Sequence, residues 1–218
     1  MIDIFNSSVC TSIHNAFEKI VLCTDDGHGW NTPGKQSFDG SLRENEFNSS
    51  VEAKLLLLLH SCGIKCYQLA PGWKDEDLPA RTKLENEIYN EAKLQKKRLI
   101  GISIHADAFN DTSAEGFCVY YYKKNNTYSR EGKRLAKYIA DSIIDNDRRN
   151  GHIIKPRHDN GICGENFHML RESSGTWILI ENAFMTNNHD LDFLKEDAFR
   201  NNRAMAILEG LFNYVSHL

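Results

Sequence analysis

No stretch of this sequence stays apolar long enough to cross a bilayer. The longest purely aliphatic run, Leu55 to Leu59, is far short of the ~20 residues a spanning helix needs. The N-terminus lacks both a basic segment and a sustained apolar core, and Asp3 interrupts it, so no signal peptide is visible. The expectation is a chain made in the cytoplasm without membrane insertion, needing separate release if its target lies outside. An excess of positive charge is missing as well. The 26 basic residues are outnumbered by 30 acidic ones, for a formal net charge of −4, and nothing favours a nucleic-acid partner. The short basic run Lys96-Lys97-Arg98 reads as the solvated end of a helix. No Cys-x-x-Cys pair occurs among the six cysteines at 10, 23, 62, 66, 118 and 163, and several sit in apolar runs. All six therefore read as small buried hydrophobes of a reducing compartment. Repeats, low-complexity tracts and Pro/Gly/Ser linkers are also lacking, which predicts a single domain over residues 1–218.

What is present suffices for a sizeable core. A chain of 218 residues can bury roughly 70% of the surface its unfolded form exposes, so folding requires no disulfide or structural metal. A metal, if bound, would serve chemistry. Ile20-Val21-Leu22-Cys23-Thr24 is a strand running into the turn Asp25-Asp26-Gly27, and a loop rich in Gly, Asn, Pro and Ser fills 27–41. Phe47, Val51, Leu55, Leu58 and Cys62 recur at helical spacing, with Gly63 as a stop. A strand over 64–69 and a surface helix over 78–97 follow, the latter with apolar positions Leu84, Ile88 and Ala92. Residues 99–104 form a buried strand, 116–122 another, 135–144 a helix and 177–180 a further buried strand. Helices over 190–196 and 198–216 close the chain, and 146–174 reads as loops. Strands alternating with helices predict an α/β fold with a mostly parallel, twisted central sheet and helices on both faces.

Three of the predicted strands end in a polar group that burial does not require. The first gives way to Asp25-Asp26-Gly27-His28-Gly29, the strand at 99–104 ends in His105, and the strand at 177–180 ends in Glu181. Ligands of open α/β sheets bind beyond the carboxyl ends of the strands, so these groups should share one crevice. Two histidines and a carboxylate meeting there have the chemistry of a zinc site with an acid/base. Glu44 lies three residues before Phe47 and seven before Val51, on the inward stripe of its helix, whereas Glu46 falls about 200° away and should face solvent. Each residue has a bland alternative: a hydrogen-bonded structural histidine, a carboxylate favoured at a helix N-terminus, a glutamate paired with an arginine. Four bland residues at the sheet ends of one small domain are a poorer account than one site.

From Val21 to about Leu211 the motifs resemble the type-3 zinc-dependent N-acetylmuramoyl-L-alanine amidases, a family of autolysins, sporulation amidases and phage endolysins. Asp25-Asp26-Gly27-His28-Gly29 is similar to the family's first zinc-binding motif, and Arg43-Glu44 with Asn48 to the second. Arg81 and Asn86 match a helical Arg and Asn, Ser103-Ile104-His105-Ala106-Asp107-Ala108 resembles the third motif, and Leu179-Ile180-Glu181-Asn182-Ala183-Phe184 with Asn187 the last. The resemblance implies one Zn²⁺ held by His28, Glu44 and His105, and Glu181 as the catalytic acid/base. It also implies cleavage of the amide between the lactyl group of N-acetylmuramic acid and L-alanine in peptidoglycan. Arg171, Asp107 and Asn187 are the implied substrate-binding residues, Arg171 within a segment, 151–171, that also carries Arg157. The sequence departs from the family at Asp107, Asn45, Ala183 and Trp30, which touches substrate fit and pH optimum rather than the reaction. Residues 1–19 precede the resemblance. A zinc carboxypeptidase or deacetylase would use a similar donor set, and an inactive binding module is disfavoured by the complete set. The expected setting is a monomeric phage or prophage endolysin acting on the cell wall.

Overall fold

The computed structural model describes residues 7–124 and 127–218; Asp3, which interrupts the N-terminal segment of the sequence, lies outside the described residues. Six strands form one sheet in the order β2-β1-β3-β6-β4-β5: β1 (Ile20–Asp26), β2 (Cys66–Gln68), β3 (Arg98–Asp107), β4 (Cys118–Tyr122), β5 (Ile162–Glu165) and β6 (Thr176–Phe184). β2, β1, β3 and β6 run parallel, and β4 joins β6 antiparallel. The helices are α1 (Ser7–Ala16), α2 (Glu44–Ser61), α3 (Leu78–Leu94), α4 (Thr127–Asn150), α5 (His168–Glu172), α6 (Asn188–Lys195) and α7 (Asp197–Val215). The expected mostly parallel α/β sheet covered on both faces is what the chain adopts.

Both faces of the central strands are apolar, as a doubly covered parallel sheet requires. Side chains alternate along each strand. Leu22, Ile100, Ile102, Ile104, Ile178 and Ile180 meet the larger layer built with α2, α4 and α7. Cys23, Leu99, Trp177 and Leu179 face the smaller layer of α3 and α5. Gly101 is the concession that packs this second face. The Trp177 indole lies over it so closely that a Cβ there would stand 1.7 Å from a ring carbon.

The structure revises several sequence readings. Cys10 on α1 and Cys62, just past α2, form a disulfide across 52 positions. Two of the six cysteines are therefore not free, and of the others Cys66 and Cys163 are only half-buried, so the reading of all six as small buried hydrophobes does not hold. Chain separation hid the pair; the packing of a segment outside the recognisable motifs creates it. Cys23, Cys66, Cys118 and Cys163 are free. Burial pushes the Cys66 and Cys118 thiols up to about 12, so their reactive thiolate form is suppressed. In α2 the stripe runs through Leu59, with Leu58 only half-buried. In α3 Ile88 and Ala92 are buried as expected but Leu84 is exposed, and Arg81, Thr82 and Glu85 lie buried beside them, Arg81 bonded to Asp25 of β1 and Glu85 to the amides of Ser174 and Gly175. The 146–174 segment is not all loop. It holds β5, too short for a periodic signal, and the single-turn α5, and α4 reaches into it as far as Asn150.

Gly101→Ala should destabilise the fold by about 1–3 kcal/mol, the usual range for overpacking a core. Urea unfolding checks this; an unchanged midpoint would mean that the indole moves aside freely.

Candidate metal centre

The parallel register sets the site. Asp26 pairs with Ile104 and Ile104 with Ile180, so the next residues along, Gly27, His105 and Glu181, stand in one row at the carboxyl edge. The Gly27 amide extends the ladder by donating to the Ile104 carbonyl at 3.0 Å. A Cβ on Gly27 would lie 1.8 Å from His105 Cε1, so glycine is what lets the turn pass over the imidazole. The chain then swings His28 into left-handed backbone, φ 64°, which costs a non-glycine residue roughly 1–2 kcal/mol. Two amides of α2 hold the turn: Asn48 Nδ2 donates to the Gly27 carbonyl at 2.8 Å and Asn45 Nδ2 to the His28 carbonyl at 3.2 Å.

Glu44, the first residue of α2, is 2% exposed and points between the two imidazoles. Its Oε1 is 2.9 Å from His105 Nδ1 and its Oε2 is 3.5 Å from His28 Nε2, with Lys35 Nζ at 3.6 Å. One donor atom from each of His28, Glu44 and His105 lies within 4.8 Å of the others, so the three form a group able to hold a metal ion. Two ligands each ~2.1 Å from a tetrahedral ion stand roughly 3.4 Å apart, a spacing that the His28–Glu44 pair already has. Glu46 points outward to Arg200. Burial disfavours the charged form of His105, but its hydrogen bond to Glu44 and the negative charges of Glu181 and Glu44 outweigh that and raise it to about 9. Burial also works against ionised Glu44, and the hydrogen bond and charge of His105 with the charges of His28 and Lys35 overcome it, holding Glu44 low. His28 is lowered to about 4, chiefly by burial.

Glu181 pairs with His105 across β6 and β3. Its Oε2 is buried with no hydrogen-bond partner among the described residues, and burial pushes the carboxyl up to about 8. Asn182 donates from Nδ2 to the His105 carbonyl at 2.8 Å, holding the ends of β3 and β6 together. Beneath the row runs a buried polar chain. Trp177 Nε1 donates to Ser103 Oγ at 2.9 Å, Ser103 to Asp25 Oδ2 at 2.8 Å, and Arg81 pairs with Asp25 and with Asp75, the latter at 2.7 Å. A cleft of about 610 Å³ opens over this chain, bordered by Gly27, His28, Arg81, His105, Phe167 and Leu179.

The other expected residues are placed unequally. Asp107 lies beyond Glu181 and accepts from Arg157 Nη2 at 2.9 Å, and the Arg157 guanidinium sits 4.5 Å from the centre of the Phe184 ring. Arg171 turns to Glu172 and to the Asn166 carbonyl instead. Asn187 caps α6 by accepting from Asp190 N and donates to the Thr112 carbonyl. Both of its polar ends are engaged away from the row. Of the two arginines of the 151–171 segment the sequence favours Arg171, whereas it is Arg157 that stands against Asp107; the segment has no periodic signal to separate them. Asp25 and Ser103 carried a usable signal, since each shares strand parity with residues of the His105 face.

A sequence profile of the N-acetylmuramoyl-L-alanine amidase family matches residues 21–213. The amidase LytC of Bacillus subtilis is 25% identical over 216 residues, covering 96% of this chain but only 38% of LytC, so the chain spans about two fifths of that relative. Among solved structures, an N-acetylmuramoyl-L-alanine amidase from Clostridium difficile 630 superposes with a TM-score of 0.77 at 25% identity, covering 90% of this chain and 97% of that one. AmiC2 of Nostoc punctiforme gives 0.75 at 26% identity, covering 91% and 98%. With a family match across most of its length and the same sheet architecture, the chain belongs to the N-acetylmuramoyl-L-alanine amidase family.

Proposed function

We propose that this chain, acting as a single catalytic unit, hydrolyses the amide between the lactyl group of N-acetylmuramic acid and L-alanine in peptidoglycan. In this reading one Zn²⁺ is held by His28, Glu44 and His105. The observation that carries it is the convergence of those three donors, brought from a strand end, a helix start and a second strand end, within 4.8 Å of one another. Bound there, the ion would polarise the scissile carbonyl, acidify a water, and add positive charge that draws Glu181 back towards its ionised form.

The chain's own groups do the rest. Glu181 Oε2, unpartnered and buried, accepts a proton from the water as its oxygen bonds to the carbonyl carbon. It then delivers that proton to the departing nitrogen as the C–N bond breaks, leaving a lactyl carboxylate and the free amine of L-alanine. Asn45, Asn48 and Gly27 fix the approach of the histidines, and Asn182 fixes His105 against β6. Asp107, clamped by Arg157, is the proposed border of the substrate site; Arg171 and Asn187, with structural partners of their own, are weaker candidates. We further propose the lytic setting of a phage or prophage endolysin, whose target is the cell wall.

Glu181→Gln should lower the rate of wall hydrolysis roughly 10²–10⁴-fold with zinc content unchanged. Metal analysis beside product analysis for new N-terminal L-alanine checks it, and shortened stem peptides would point to a carboxypeptidase instead. Zinc must displace a proton from His105, whose pKa in the metal-free chain is about 9, but none from His28 at about 4. Apparent zinc affinity should therefore climb at least about tenfold per pH unit from pH 7 and flatten above about 9, with roughly one proton released from His105 per ion at pH 7 and up to one more from Glu181, whose carboxyl stands at about 8 without the metal. Calorimetry in buffers of different ionisation heat reads this, and affinity independent of pH over that window would remove His105 from the ligand set. Gly27→Ala should displace the imidazole of His105 and weaken zinc binding by about tenfold or more while the chain stays folded. Unaltered affinity would show that the turn has room to spare.

A further inference from the structure

A second cavity, of about 830 Å³, lies at the β2 edge of the sheet against the outer flank of α2, and shares no lining residue with the cleft of His28 and His105. Its walls are largely apolar, with Leu56, Leu57, Ile64 and Trp73 among them, and Leu57 and Trp73 are strongly exposed. Two carboxylates belong to its lining: Asp26, 5% exposed, and Glu52, 2% exposed. Gln68 Nε2 donates to Glu52 Oε2 at 2.8 Å and the Thr24 hydroxyl also hydrogen-bonds the Glu52 carboxylate, whereas Glu52 Oε1 is buried with no partner in hydrogen-bonding geometry among the described residues.

No nearby cation is ion-paired with either carboxylate among the described residues, although the Arg81 charge lowers both in part and His60 and Lys65 line the cavity. Arg81 is bonded to Asp25 and Asp75 on the other face of the sheet, and Lys65 Nζ rests 4.5 Å above the centre of the Tyr67 ring. Among the described residues neither Asp26 nor Glu52 has an ion-pair partner. Burying a carboxylate without one is costly, and burial accordingly raises the Glu52 carboxyl. An apolar groove that ends in such a pair is complementary to an apolar stem that ends in a cation.

We propose that this cavity is a binding site for a primary ammonium on an aliphatic stem, of the kind a lysine-type side chain carries, with Glu52 Oε1 and Asp26 receiving the ammonium and Leu56, Leu57 and Trp73 covering the stem. A guanidinium fits less well. Its planar fork is best met by both oxygens of one carboxylate, and Gln68 already occupies one oxygen of Glu52. An ammonium is a compact charge whose three donors can diverge to separate acceptors. The site depends on neither the metal nor hydrolysis, so it stands or falls separately from the amidase reading.

Titration of the full chain with Nα-acetyl-L-lysine amide, followed through the methyl resonances of Leu56 and Leu57 and the indole of Trp73, tests it. The uncharged control is Nα-acetyl-L-norleucine amide. The lysine compound should give saturable shifts, the norleucine compound none, and Glu52→Gln should weaken binding by about tenfold or more, the loss expected for a hydrogen bond to a charged group. Competition by n-pentylamine separates the two sources of such a group: displacement indicates that a free amine suffices, and resistance that a peptide-borne one is needed, either of which supports the site. Equal shifts from the lysine and norleucine compounds, undiminished binding by Glu52→Gln, or shifts confined to the Asp75–Asp77 side of the other cleft would each overturn it. The lysine–norleucine comparison uses the unaltered chain and therefore decides the matter even if Glu52→Gln fails to fold.

Discussion

A carboxylate at the start of α2 governs this end of the molecule. Glu44 is 2% exposed, and its two oxygens face different imidazoles, His105 at 2.9 Å and His28 at 3.5 Å. Removing a carboxylate from water costs several kcal/mol unless positive charge and hydrogen bonds replace the lost solvation. In the metal-free chain a proton on His105 supplies that charge, which is why its pKa rises despite burial. A divalent ion can take the proton's place and satisfy all three donors together. Protonation and metal binding are thus competing answers to one electrostatic demand.

The rest of the fold serves to keep that demand in position. Parallel pairing of β1, β3 and β6 aligns Gly27, His105 and Glu181 without a long loop to carry any of them. The chain from Trp177 through Ser103 and Asp25 to Arg81 ties the same three strands to α3 just below the row. Each link is buried and partnered, as a polar network inside a protein must be if it is to rigidify rather than weaken its surroundings. On the opposite face of β1, Asp26 has no such network. Neighbouring acidic residues in one turn therefore have opposite circumstances: Asp25 is neutralised by Arg81, and Asp26 opens onto an apolar groove.

Much of this was legible in the sequence because parallel strands advertise themselves. Apolar runs such as Leu99–Ile104 and Trp177–Ile180 end abruptly in His105 and Glu181, and the helical phase of Glu44 relative to Phe47 and Val51 turns it inward. Less legible were features that depend on residues meeting from afar. The Cys10–Cys62 bridge, the Asp107–Arg157 pair and the short β5 strand have no local periodicity to announce them. Arg171 illustrates the converse. A basic residue near the last strand has the right chemistry, yet its guanidinium is turned to Glu172 and a loop carbonyl. In α3 the usual equation of buried with apolar holds for Ile88 and Ala92 but misses Arg81 and Glu85, which are buried to bond the sheet and the 174–175 turn.

The proposed chemistry requires His28, Glu44 and His105 to share one ion. Anomalous diffraction from crystals grown with zinc, recorded on either side of the zinc absorption edge, asks this directly. A single peak about 2.0–2.2 Å from one atom of each of the three side chains is the predicted result. A peak that leaves out either imidazole, or none in crystals shown by elemental analysis to contain the metal, would contradict it.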